Sequence, residues 1–191
     1  MKNAIILHGT GSKEEYYSLE YPSASNSHWF PWLQNNLLTQ DIFAVTPEMP
    51  NSFSPDYEVW RTEFERYDIT SETILIGHSC GGGFLLRWLS EHPEVRVDKV
   101  VLVAPWLDPA REDTTDFFDF TIDKNLVDRT KGVTIFSSDN DFDPVVKSIE
   151  IILEQIPNIK VKEFHNYGHF CYRDLKTEEF PELLQEILKK E

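Results

Sequence analysis

The sequence predicts an α/β protein with three layers, in which helices cover both faces of a mostly parallel, six-stranded sheet. Three observations support this prediction. Six short aliphatic runs are spaced along the chain, segments of helical period separate them, and no repeat or long linker divides the sequence. Strands that alternate with helices in this way form parallel sheets. With 191 residues, 40% of them hydrophobic, we expect a single domain over residues 1–191.

Unbroken runs of β-branched and aliphatic residues define the strands, because a strand buried on both faces has no polar side. Pro47 and Pro105 follow two of these runs and cannot continue a hydrogen-bonded ladder. The six predicted strands are Ala4–His8, Asp41–Thr46, Thr73–Ile76, Val97–Ala104, Val133–Ser137 and Ile159–Phe164.

Apolar residues at helical spacing define the helices between the strands. Trp60, Phe64 and Tyr67, for example, fall on one face of a helix, and Pro31 is tolerated in a first helical turn. The predicted helices run from His28 to about Leu38, over Asp56–Tyr67, from Phe84 to about His92, over Val145–Gln155 and over Glu178–Lys190.

Two segments show neither period. Lys13–Ser27 is polar with scattered aromatic residues, which predicts an irregular surface loop. Trp106–Thr130 combines aromatic side chains with many acids, and we expect a partly helical flap beside the pocket. Its aromatic residues either line that pocket or anchor the segment to the core.

The composition excludes several classes of partner. A net charge of −15 disfavours binding to nucleic acid or to anionic membranes, since both are polyanions. No apolar run reaches the length of a transmembrane helix, and Ala4–Leu7 is a first strand rather than a signal peptide. Cys80 and Cys171 are too few for a disulfide framework, so we expect a cytoplasmic protein.

The pattern Gly77-His78-Ser79-Cys80-Gly81 lies between a predicted strand and a predicted helix. This is the arrangement of a nucleophile elbow, in which a sharp strand–turn–helix connection exposes a serine hydroxyl. The alternative is a glycine-rich turn in the core without a chemical role. The acid and histidine that follow later in the chain favour Ser79 as a nucleophile.

The first strand is followed by a second glycine loop. Gly9 and Thr10 can turn backbone N–H groups into the pocket, and the N–H of Cys80 supplies the other donor of an oxyanion hole. The loop fits neither phosphate-binding glycine motif, so no nucleotide cofactor is expected. His78 precedes the acid in the chain, and we expect it to contact either the protein or the substrate.

A serine nucleophile needs a base and an acid that orients the base, in the chain order Ser, Asp, His. Asp139, Asp141 and Asp143 all follow the fifth predicted strand. Asp141 is favoured, because Asp139 lies close to the strand and Asp143 is placed to cap the next helix. His169 lies in a loop after the sixth strand beside a glycine, whereas His165 lies at the strand end.

The same aspartates fit part of a calcium-binding loop. Together with Glu150 they occupy positions 1, 3, 5 and 12 of an EF-hand. Pro144 stands where that loop requires glycine, and a strand rather than a helix precedes it. We therefore expect no metal site.

The chain resembles the small α/β-hydrolase-fold serine hydrolases of the retinoblastoma-binding protein nine and YdeN-like family. The pieces that match are His8-Gly9, Trp29, Trp32, Pro47–Pro50, Trp60, Gly77–Gly81, Ser138–Asp141 and Gly168–Phe170. The resemblance implies a minimal α/β-hydrolase fold with little or no cap, and a triad of Ser79, Asp141 and His169. Family members often carry Asp-Pro where this chain has Asp141-Phe142-Asp143-Pro144, so a two-residue shift would make Asp143 the acid.

Two hypotheses about function follow. The first is a serine hydrolase of the carboxylesterase or amidase type, acting on a small ester or amide. The second is a binding module that kept the fold and lost turnover. The complete Ser, Asp, His order favours the first hypothesis.

Overall fold

The computed structural model describes residues 2–156 and 158–189. Six strands form one sheet in the order β2-β1-β3-β4-β5-β6, and every neighbouring pair is parallel. The strands are β1 (Asn3–Leu7), β2 (Phe43–Val45), β3 (Thr73–His78), β4 (Lys99–Val103), β5 (Val133–Ser138) and β6 (Lys160–Phe164). The predicted fold class is confirmed, since helices cover both sides of a six-stranded parallel sheet.

The helices are α1 (Lys13–Tyr16), α2 (Phe30–Leu38), α3 (Tyr57–Phe64), α4 (Cys80–Glu91), α5 (Asp143–Gln155), α6 (Tyr172–Leu175) and α7 (Pro181–Leu188). Helix α2 contacts α7, whereas α3 packs against α4 through aromatic rings. Strands β3 and β4 are buried along their whole length. None of the described helices has the length and apolar character that a membrane crossing requires.

Helix α1 corrects the expectation of an irregular loop over Lys13–Ser27. Ser12 accepts a hydrogen bond from the Glu15 N–H, and the Glu15 carboxylate accepts one from the Ser12 N–H. This capping box is visible in the sequence as Ser-x-x-Glu, but no apolar period follows it. A 3₁₀ turn over Ala24–Asn26 adds a second short element to the same stretch.

The boundaries at the elbow also differ from the expectation. Strand β3 extends to His78 and α4 begins at Cys80, so Ser79 alone makes the turn. Three glycines lie in the first turn of α4. Because glycine carries no apolar side chain, the helical period in the sequence does not show where this helix begins. Strand β2 is shorter than predicted, and the predicted end of the last helix at Lys190 lies outside the described residues.

The segment Trp106–Thr130, all of which is described, contains a single 3₁₀ turn over Leu126–Arg129 and otherwise irregular backbone. Side chains from other parts of the chain provide the hydrogen-bond partners that a helix would otherwise provide for its backbone groups. Arg87 on α4 donates hydrogen bonds to the carbonyls of Asp116 and Phe117, at 2.6 and 2.9 Å. The partly helical flap is therefore mostly a loop, held by contacts across the sequence rather than by local hydrogen bonds.

Candidate functional site

Ser79 occupies a strained turn at the carboxyl end of β3. Its φ of 53° lies in the left-handed region, which residues other than glycine seldom adopt. The Ser79 N–H donates to the Val103 carbonyl at 2.9 Å, and the Ser79 carbonyl accepts from the N–H groups of Gly82 and Trp106. Hydrogen bonds to a neighbouring strand and to the following helix thus hold the serine in this conformation.

Gly77 and Gly81 allow the turn to close. A Cβ at Gly77 would lie 2.6 Å from the Gly81 carbonyl oxygen and 2.7 Å from the Gly82 nitrogen. A Cβ at Gly81 would lie 2.8 Å from the Leu7 carbonyl oxygen, so β1 also depends on the missing side chain. Any larger residue at either position would push the strands and the helix apart.

A pocket of about 380 Å³ opens in front of Ser79. Loops from the carboxyl ends of β1, β4, β5 and β6 meet there, as expected for a parallel sheet. Its lining residues are Thr10, Gly11, Phe53, Pro55, Ser79, Trp106, Asp113, Thr114, Phe142, Pro144, Val145 and His169. The predicted nucleophile and the predicted base therefore face one cavity.

His169 is oriented by Asp141. The imidazole Nδ1–H donates to the Asp141 carboxylate, with 2.9 Å to Oδ1 and 3.2 Å to Oδ2. The Asp141 carboxylate is buried, and it also accepts a hydrogen bond from the Phe142 N–H at 2.7 Å. This arrangement leaves Nε2 of the histidine as the nitrogen that can accept a proton.

The two neighbouring aspartates lie elsewhere. Asp139 pairs with His165 at 2.7 Å and accepts from the Asn166 N–H, while Asp143 is exposed at the start of α5. The three carboxylates therefore do not converge as calcium ligands. Within residues 2–156 and 158–189, no group of three or more His, Cys, Asp or Glu side chains is placed to hold a metal ion.

His78 lies behind His169 rather than on the pocket wall. Its Nε2–H donates to the His169 carbonyl at 2.8 Å, and the two rings are 4.8 Å apart. Burial is the main reason that the pKa of His78 falls well below its usual value, so the ring is neutral. Of the two contacts expected for His78, the structure therefore shows the one with the protein.

The expected oxyanion donors lie on two sides of Ser79. Cys80 is the first residue of α4, so its N–H has no acceptor within the helix. Gly9 packs against the serine, since a Cβ there would lie 2.8 Å from Ser79 Cβ, and Thr10 lines the pocket. The Cys80 thiol is buried, which raises its pKa well above the usual value and leaves it unreactive.

Several residues that support the site were not predicted from the sequence. The Trp29 indole N–H donates to the Phe170 carbonyl at 3.1 Å, and His28 Nδ1 accepts from the Tyr172 N–H at 3.2 Å. Both contacts hold the loop that carries His169. The partners are more than 140 residues apart, so the only signal in the sequence was the unusual density of large rings before α2.

Comparison with known proteins agrees with this geometry. The family model described as Serine hydrolase matches residues 20–173. YdeN of Bacillus subtilis (strain 168), which is named as a hydrolase, is 30% identical over 169 residues, covering 83% of this chain and 86% of that protein.

Two solved structures share the fold. The crystal structure of the B. subtilis ydeN gene product matches with a TM-score of 0.78 and 22% identity, covering 98% of this chain and 97% of that one. Est1E from Butyrivibrio proteoclasticus, solved with ferulic acid bound, matches with a TM-score of 0.68 and 16% identity, covering 98% of this chain and 88% of that one.

Proposed function

Because this chain belongs to the serine hydrolase family, we propose that it cleaves small carboxylic esters or amides through an acyl-enzyme formed on Ser79. The observation that carries this proposal is the placement of Ser79 and of the Asp141–His169 pair at one pocket. A hydroxyl held at a strained turn, beside an imidazole whose other nitrogen is fixed by a buried carboxylate, fits nucleophilic acyl transfer.

In the proposed reaction, His169 Nε2 takes the proton of Ser79 Oγ as the oxygen attacks the substrate carbonyl. The N–H groups of Cys80 and of the Gly9–Thr10 loop stabilise the negative oxygen that forms. The proton then passes from His169 to the departing alcohol or amine, and the bond to that group breaks. Water, deprotonated by the same histidine, then attacks the acyl carbonyl. The bond from the acyl carbon to Ser79 Oγ breaks, the histidine returns the proton to that oxygen, and the acid is released.

One contact of this mechanism has to form during the reaction. Among the described residues no hydrogen bond joins Ser79 Oγ to the His169 imidazole. Such bonds are often long or poorly aligned in an unliganded site and tighten when substrate binds. Because His169 is held through its carboxylate partner and through its own backbone carbonyl, we expect the serine side chain to make the rearrangement.

Labelling with a fluorophosphonate probe tests the proposal, together with hydrolysis of nitrophenyl acetate. The probe should attach to Ser79 of the wild-type protein, as located by mass spectrometry of peptides, and the protein should release nitrophenol. Ser79→Ala should lose both properties and keep its melting temperature, while Ser71→Ala, at an exposed serine away from the pocket, should lose neither. Hydrolysis that persists in Ser79→Ala would contradict the proposal, and a wild-type protein that shows neither property would fit the binding module.

The ester or amide would be a small molecule, since the pocket has room for a compact substrate. We also propose a cytoplasmic location, which rests on the two cysteines, neither of which is in a disulfide.

A further inference from the structure

A second cavity, of about 280 Å³, lies beside the pocket of Ser79. The two cavities share one lining residue, Thr114. Six of its ten lining residues are apolar, among them Phe118, Phe120 and Ile122 from the β4–β5 segment and Ile151 from α5, and the other four are Asp108, Arg111, Thr114 and Thr115. A ligand group bound there would bury its apolar surface against the protein without contacting Ser79.

The wall between the cavities is formed by Thr114, which lines both, and by Trp106 and Phe118, which line one each. Trp106 lines the first cavity and Phe118 the second, and their rings meet edge to face with centroids 5.6 Å apart. Thr114 continues the same wall. A molecule whose reacting carbonyl lies at Ser79 would enter the second cavity past Thr114, the residue that lines both.

This wall is fixed by a buried carboxylate. Asp108 is 3% exposed and accepts hydrogen bonds from the Thr114 N–H at 2.7 Å, the Thr114 hydroxyl at 2.8 Å and the Asp113 N–H at 3.1 Å. Next to it, the Leu107 N–H donates to Ser148 Oγ on α5 at 3.0 Å. The irregular loop is thus pinned at the one residue that both cavities share, which is the preorganisation that a binding site needs.

A glycine places the aromatic part of the wall. A Cβ at Gly83 on α4 would lie 2.6 Å from Phe118 Cε1, so the ring can rest on the helix only because that side chain is absent. The contacts that require glycine at position 83 therefore lie outside the turn of Ser79. The atom nearest to that Cβ is the Trp106 carbonyl oxygen, so Gly83 also lets Trp106, which lines the first pocket and donates its N–H to the Ser79 carbonyl, lie against the helix.

We propose that the second cavity binds an apolar group of the substrate, remote from the bond that is cleaved. The inference rests on the proposed function and specifies its substrates as esters or amides that carry a branched, long or aromatic hydrocarbon group. An anionic group is disfavoured, because Asp108 lines the cavity and the cation at its rim, Arg111, lies 3.5 Å from the Asp119 carboxylate. The apolar group can belong to the acid or to the alcohol part of the ester.

The test fills the cavity from its rim. Thr115 is exposed and lines the second cavity but not the first, so Thr115→Trp should occupy the cavity without disturbing the core. Thr121→Trp is the matched control, since Thr121 is exposed on the same segment and lines neither cavity. Two series of esters are compared, one with acetyl, hexanoyl and phenylpropanoyl groups on a constant alcohol, the other with ethyl, hexyl and benzyl alcohols on a constant acetyl group.

In the series whose variable group binds in the second cavity, the ratio of kcat/KM for the extended ester to kcat/KM for the smallest ester should fall by about tenfold in Thr115→Trp. One extra or missing methylene in an apolar pocket already changes kcat/KM by about 10- to 200-fold. The ratio in Thr121→Trp should equal that of the wild type. The series that shows this loss identifies whether the acid part or the alcohol part of the ester occupies the second cavity. Equal losses for small and extended esters, or equal ratios in the two tryptophan variants, would overturn the inference.

A binding measurement separates this inference from the proposed chemistry. The extended ester is titrated calorimetrically into Ser79→Ala, alone and combined with each tryptophan substitution. Weaker binding only in the combination with Thr115→Trp supports the cavity even if the wild-type protein proves not to hydrolyse esters. Binding that is the same in all three proteins overturns it whatever the rates are.

Discussion

Two aspartate–histidine pairs connect the same two loops of this protein. Asp141 and Asp139 lie in the loop after β5, and their partners His169 and His165 lie in the loop after β6. The hydrogen bonds are alike, with 2.9 Å from His169 Nδ1 to Asp141 and 2.7 Å from His165 Nδ1 to Asp139. If hydrogen-bond geometry decided function, the second pair would be the better candidate.

Their surroundings separate the pairs. The side chains of Asp141 and His169 are 1% and 12% exposed, whereas those of Asp139 and His165 are 37% and 80% exposed. His169 lines the pocket of Ser79 and has His78 behind it, while His165 lies outside the pocket lining. A pair held away from water loses little strength to solvent, and this pair lies at the pocket of Ser79, so burial and position favour it for the proposed chemical role.

The largest expected difference between the pairs is in turnover. Asp141→Asn should lower kcat by about 10⁴-fold, because the asparagine no longer holds the histidine in the tautomer that accepts the serine proton. Asp139→Asn and Asp143→Asn should leave kcat within about twofold, since a change outside the catalytic groups costs little. Steady-state kinetics on one ester measures all three, and a larger loss in Asp143→Asn would move the acid to the position that the family pattern suggests.

The next difference concerns pH. Only a neutral imidazole can take the serine proton, so kcat/KM should fall as the pH is lowered, by up to about tenfold for each pH unit. The acid limb should be unchanged in Asp139→Asn, because the His165 pair is not part of the reaction. A rate that stays constant from about pH 5 to about pH 9 in a folded protein would exclude a histidine base.

The elbow and the choice between the two pairs could be predicted because their signals are local. Gly77, Ser79 and Gly81 are neighbours in the chain, and Asp141 and His169 were each chosen by distance from a strand end. The supports of the site were not predictable in this way. His78 and the carbonyl that it holds are 91 residues apart, and a single sequence contains no signal for such a contact.

The β4–β5 segment is a second region whose contacts could not be predicted from the sequence. Its composition does not show which of its many acids are buried, yet Asp108 is buried and accepts four hydrogen bonds from the loop that it organises. Its aromatic residues divide between the roles considered, since Trp106 lines the pocket while Phe117 lies in the core against Trp60 and Phe84. Composition is the same for both roles, and only the fold distinguishes them.

A smaller effect on turnover is expected from the support behind the catalytic pair. His78→Phe keeps a ring of similar size but removes the donor to the His169 carbonyl. Loss of one buried hydrogen bond costs on the order of 1 kcal/mol, so kcat should fall by about fivefold with little change in KM. A lower melting temperature with unchanged kcat would instead assign His78 a packing role without influence on His169.

The smallest effect should come from the exposed pair, and it should depend on pH. The hydrogen bond to Asp139 is the main reason that the pKa of His165 is raised, whereas hydrogen bonds from the Asn166 N–H and then from His165 lower the pKa of Asp139. A raised histidine pKa stabilises the fold below the unfolded value of about 6.5, and this contribution is lost as the pH rises through the folded pKa. A lowered aspartate pKa stabilises the fold above the unfolded value of about 3.9, and this contribution is lost as the pH falls through the folded pKa.

The two contributions overlap in weakly acidic solution, so the pair is strongest there. The melting temperature of Asp139→Asn should therefore lie further below that of the wild type at about pH 5.5 than at about pH 8.5. Both differences should be small, because the pair is exposed and salt screens it. Asp143→Asn, at an exposed carboxylate of the same loop, should show no such dependence. Equal differences in melting temperature at the two pH values would mean that the protonation of His165 contributes nothing to stability. The exposed pair would then differ from the buried pair in its contribution to stability as well as in its position.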